Sequence, residues 1–69
     1  MRYEIDIRMP DGSVEQKKAK TEPLKRAIKS LRDKPVGSKA YVYAVDGENG
    51  GQLASLIHTL TKVEGSTAT

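Results

Sequence analysis

Cysteine is absent from this 69-residue chain, as are phenylalanine and tryptophan, and histidine occurs once. Without cysteine there is no disulfide and no thiolate metal ligand, and nothing calls for an oxidising compartment. A lone His also removes most metal centres and every Cys–His nucleophile pair. Without Phe or Trp, core volume must come from Leu, Ile, Val, Met and three tyrosines. No apolar run has signal-peptide length, and none approaches the roughly 20 residues that span a bilayer. A charged fraction of 30% beside 36% hydrophobic residues reads as globular, soluble and cytoplasmic. The chain makes one domain at most, with a core that supplies no more than roughly 3–5 kcal/mol. A homodimer that buries further apolar area is therefore a reasonable expectation.

What the chain does have is an uneven charge. Nine of its twelve Lys and Arg fall between Lys17 and Lys39, against only Glu22 and Asp33 there. That segment carries +7 and the remainder −4, which gives the overall +3. Only Glu22 offers local compensation, within i+4 reach of Arg26. A chain so polarised has a basic face, and a basic face attracts acidic partners.

Along the chain, Tyr3, Ile5, Ile7 and Met9 alternate with Arg2, Glu4, Asp6 and Arg8, the period of a half-buried strand. Pro10-Asp11-Gly12-Ser13 stops it, and Asp-Gly supplies the positive φ of a hairpin turn. Val14–Lys20 is the return strand, Lys-rich and weakly apolar, as at a protected sheet edge. Thr21-Glu22-Pro23 opens a helix, with Thr21 as cap and Pro23 in the first turn. Leu24, Ala27, Ile28 and Leu31 give it one apolar stripe, and Pro35 ends it near Asp33. Lys39–Val45 is strand-like with apolar residues on both faces. A glycine-rich loop spans Asp46–Gly51. Leu53, Leu56, Ile57, Leu60 and Val63 then fit a second amphipathic helix from about Gln52 to Val63.

The order β-β-α-β-α predicts an α+β fold. Its three-stranded antiparallel sheet runs 2-1-3, and both helices cover one face. A single domain over 1–63 and a disordered tail over 64–69 complete the reading. Ile28→Ala and Leu56→Ala should each cost roughly 2–5 kcal/mol if both stripes are core.

Chemistry-bearing constellations are few. A nucleophile–base pair would need Ser55 or Thr59 with His58, and no carboxylate is placed to orient the imidazole. Lying off the apolar stripe, His58 reads as a solvated residue. Glu4 and Asp6 sit between Arg2 and Arg8, where ion pairing explains them more simply than acid–base catalysis. Counted as a calcium loop from Asp46, the glycine loop puts Gly51 at the sixth position but Ile57 where the bidentate Glu belongs. It also lacks the Lys-Ser/Thr of a phosphate loop. No enzyme, metal site or cofactor is expected.

The basic segment remains. Lys25, Arg26, Lys29 and Arg32 lie off the helix stripe, with Lys17, Lys18 and Lys20 on the strand leading in. A solvated face would use the same residues, so their number rather than their type carries the reading. Tyr41 and Tyr43 share one face of the third strand. Pointing outward they would make a stacking platform or protein-binding patch; pointing inward they would supply core volume, which volume alone slightly favours. The compact, cysteine-free format is shared by many small phage and plasmid regulators and inhibitors, an analogy of size only.

The reading is a non-enzymatic interaction protein, a regulator or inhibitor that docks on an acidic protein surface. Lys17, Lys18, Lys20, Lys25, Arg26, Lys29, Arg32, Tyr41 and Tyr43 would make the contact. The alternative is a nucleic-acid-binding module that uses the same basic segment against phosphates.

Overall fold

Five elements follow one another: β1 (Arg2–Arg8), β2 (Val14–Ala19), α1 (Pro23–Leu31), β3 (Lys39–Asp46) and β4 (Leu53–Thr61). The structure, a computed structural model, describes residues 2–47 and 53–64. The strands form one antiparallel sheet in the order β2-β1-β3-β4.

The architecture of three strands and two helices is thereby overturned. Where the sequence pattern suggests a second helix, the chain runs as a fourth strand beside β3, and α1 is the single helix among the described residues. The expected helix start at Gln52 lies outside those residues, as do the loop from Glu48 to Gly51 and the tail from Gly65 onward.

The β1–β2 hairpin follows from its turn chemistry. The Gly12 N–H donates to the Met9 carbonyl at 3.0 Å, and the Met9 N–H donates to the Ser13 carbonyl at 2.9 Å. Gly12 sits at φ +94°, the left-handed residue that ends a three-residue hairpin loop. Pro10 takes the position where its fixed φ fits. The Ser13 N–H also donates to Asp11 Oδ1 at 2.8 Å, which holds the Asp11 carboxyl below its usual range. Pairing then runs from Arg8↔Val14 to Tyr3↔Ala19.

α1 starts without the expected Thr21 cap. Its N-cap is Glu22, left-handed at φ 53°, with no side-chain hydrogen bond to the helix end. Pro23 opens the first turn, where its missing N–H costs nothing. The helix buries Ala27 and Leu31 against Ile5, Ile7, Ala40 and Val42, with Ala19 at the margin and Tyr3, Met9 and Leu60 half-buried around them. The core lies between α1 and the central strands β1 and β3. Leu24 and Ile28 stay outside it, and Ile28 is 48% exposed. Leu56 is 53% exposed. The cost of truncating Ile28 or Leu56 to alanine falls accordingly below the core-sized loss, because neither would leave a cavity.

Beyond α1, the chain is fastened to the end of β4. Gly37 N–H donates to the Lys62 carbonyl at 2.8 Å, and Lys62 N–H to the Ser38 carbonyl at 2.9 Å. The Lys62 ammonium donates to the carbonyls of Arg32, the C-cap of α1, and of Lys34 in the turn that follows. Ser38 is fully buried between these contacts, and its hydroxyl has no hydrogen-bond partner among the described residues. Removing a buried unsatisfied hydroxyl relieves desolvation. Ser38→Ala is accordingly expected to keep or raise stability, by up to about 1 kcal/mol in urea unfolding. A clear loss would mean that the hydroxyl has a partner.

Candidate functional site

The sheet has two unlike faces. Ile5, Ile7, Ala40 and Val42 turn toward α1, so their alternating neighbours turn away. The open face carries Arg2, Glu4, Asp6 and Arg8 from β1 beside Lys39, Tyr41 and Tyr43 from β3; Val45 follows on the same side by register but is buried, at 3% exposure. Tyr41 and Tyr43 thus stand on the open face, half-buried, against the inward orientation that volume favours. Ile5, Ile7 and Leu31 fill the core instead.

Each tyrosine has a carboxylate directly opposite, Asp6 across from Tyr41 and Glu4 across from Tyr43. The Arg8 guanidinium lies 5.3 Å from the Tyr41 ring centroid, within cation–π range. Arg2 Nε lies 3.8 Å from Glu4 Oε2. Glu4 and Asp6 are outnumbered on this face by Arg2, Arg8, Lys39 and, from β2, Lys18, so the open face is itself net positive.

The basic segment divides between the two sides. Lys17 pairs across from Ile5 and so lies on the α1 side, while Lys18 pairs across from Glu4 and lies on the open face. Lys20 follows the end of β2 and is exposed. Lys25, Arg26, Lys29 and Arg32 are all exposed on α1 or at its C-cap. The structure brings these four together with Lys17 on one side of the molecule. It does not bring them together with Lys18, Tyr41 and Tyr43.

Among the described residues the only ion pair in the basic segment is Lys34 with Glu15. A hydrogen bond from the Lys34 ammonium holds the Glu15 carboxyl below its usual range. The expected Glu22–Arg26 pair is absent: the left-handed Glu22 caps the helix, and Arg26 Nε donates to the Thr21 carbonyl at 3.1 Å. The cations of α1 thus have no carboxylate within ion-pair distance among the described residues.

The sequence reading missed a second property of this helix. At about 3.6 residues per turn, Leu24 and Ile28 lie between the buried pair Ala27/Leu31 and the cations Arg32, Lys25 and Lys29. Both are exposed, so an apolar row runs beside a cationic one.

Neither a protein-family model, nor a curated protein, nor a solved structure matches this chain.

The groups considered for chemistry stand apart. His58 lies across from Val42 and Ser55 across from Ala44 on β4, both exposed; the helical spacing that would draw them together does not exist. No cluster of three or more His, Cys, Asp or Glu occurs among the described residues. No helix of the described chain is long and apolar enough to cross a membrane.

Proposed function

We propose that this chain is a non-enzymatic interaction protein, a small regulator or inhibitor that docks α1 on the acidic surface of a partner protein. The observation that carries the reading is the set Lys25, Arg26, Lys29 and Arg32, exposed on one short helix and its C-cap, with no carboxylate near enough to pair among the described residues. Such a patch raises the local potential and steers an acidic partner into encounter. Leu24 and Ile28 supply apolar anchors beside those charges, as in a helix laid against a protein surface.

A protein partner is favoured over nucleic acid by the open face. Its tyrosines lie opposite Glu4 and Asp6, whose charges oppose a phosphate backbone, and they sit away from the basic helix. Stacking on the tyrosines and phosphate contacts by α1 would have to be made on different sides of the sheet. Arg2, Arg8, Lys18 and Lys39 share the tyrosine face, and with the helix they keep nucleic acid as the alternative.

Lys25→Glu with Lys29→Glu is the test. Both side chains are solvated, so stability should change by no more than about 0.5 kcal/mol per site. Binding should be lost, with slower association as its first sign. Full binding by the double variant would end the basic-helix reading. Anisotropy with duplex and single-stranded DNA across a salt series separates the two partner classes. A steep fall of affinity with salt in that assay would favour phosphates instead.

A further inference from the structure

The two edges of the sheet are built differently. β2 presents Glu15, Lys17 and Lys18 along its six residues, the charged, weakly apolar design by which an outer strand resists further pairing. β4 runs nine residues without one Asp, Glu, Lys or Arg. Its side chains from Leu53 to Thr59 are all exposed, with Leu53 at 74% and Ile57 at 40%. As the last strand of the sheet, it turns one row of main-chain N–H and C=O groups toward no neighbouring strand among the described residues.

We infer that a second copy of this chain pairs with β4, antiparallel about a twofold axis, and joins the two sheets into one. Outward main-chain groups are complemented only by another extended segment. The absence of charge says which one. An acidic or basic strand from an unlike protein gains no ion pair here, whereas two copies that each carry +3 meet along a stretch where no like charges oppose. The charged β2 edge blocks head-to-tail addition of β4 to β2, so association closes at two copies.

A nine-residue strand is about 30 Å long. Pairing along a single strand is a small contact beside specific stable interfaces, which bury about 1,200 Å² or more in total. The bulge at Ile57 also limits continuous pairing to the segments on either side of it. The dimer is therefore reversible and concentration-dependent. A twofold normal to a continuous sheet sets both copies of α1 on the same face.

Sedimentation equilibrium over a concentration series tests this. The mass should rise from 7.5 kDa toward twice that value, while amide exchange slows within Leu53–Thr61. Leu56→Lys puts a lysine from each copy into the shared seam and should raise the dissociation constant at least about tenfold. Thr59→Lys should do the same at a less apolar position, and decides the matter if Leu56→Lys fails to fold. Val14→Lys on β2 should leave the dimer intact. A mass that stays at one chain up to the solubility limit overturns the inference, and so does one that grows beyond two. A dimer indifferent to both lysine variants would place the interface elsewhere. Protection of β4 that appears only when a peptide of another protein is added would assign the edge to an unlike partner.

Discussion

Leu31→Ala is expected to unfold most of the population at room temperature. Leu31 is 6% exposed and, with Ala27, is all that α1 buries. Removing a fully packed Leu costs roughly 2–5 kcal/mol through lost burial and the cavity left behind. A core of this size supplies roughly 3–5 kcal/mol in total, so the loss is comparable with the whole. The cavity has little prospect of collapse, because Ala27 and Ala40 are already small and Ile5, Ile7 and Val42 are held by sheet pairing. Ile28→Ala is the comparison: on the same helix but half exposed, it should cost under about 1 kcal/mol. Urea unfolding followed by circular dichroism reads both. Equal losses at the two positions would mean that α1 is rotated relative to the sheet.

Lys62→Met is the second large effect. The ammonium donates to the carbonyls of Arg32, the C-cap of α1, and of Lys34 in the turn that follows. Methionine keeps most of the apolar stem and removes the donors. A charged hydrogen bond to a partly buried acceptor is worth roughly 1.5–3 kcal/mol, and the Arg32 carbonyl, being exposed, recovers much of its share from water. A loss of about 1–3 kcal/mol is expected in denaturant unfolding. It should come with faster amide exchange at the β4 end nearest Thr61. Unchanged exchange there would show that backbone pairing of Lys62 with Gly37 and Ser38 alone holds this corner.

The first two-thirds of the fold was legible because its signals are local. Alternation marks β1, the Pro-Asp-Gly turn marks the hairpin, and Pro23 and Pro35 bracket α1. The last third was not, and the reason is visible at Ile57. Leu53, Leu56, Ile57 and Leu60 have helical spacing in the sequence. In the structure Val42 pairs with His58 and Tyr43 with Leu56, so Ile57 is an extra residue in the ladder. A bulge shifts the phase of a period-two pattern by one, and a shifted strand pattern can imitate a helical one. The β-branched Ile57, Thr59, Thr61 and Val63 were the available counter-signal.

The candidate site was legible as charge and not as geometry. Composition locates the cations, but the faces they occupy depend on strand register. Lys17 and Lys18 are adjacent in sequence and lie on opposite sides of the sheet. The tyrosines were a matter of alternation against volume, and alternation prevailed because Ala40 and Val42 leave room for α1 to approach closely.

The strand order also governs how quickly this chain finds its fold. β1–β2 and β3–β4 are neighbours in sequence and can zip as separate hairpins within microseconds. The central β1–β3 pairing joins residues as far apart as Arg2 and Val45, so its loop-closure entropy must be overcome before the core rewards it. α1 lies within that loop, and once formed it shortens the distance the two hairpins must search. Docking of hairpin on hairpin is therefore the expected slow step, and a folding rate unchanged in Leu31→Val would show that the α1 contacts form after it.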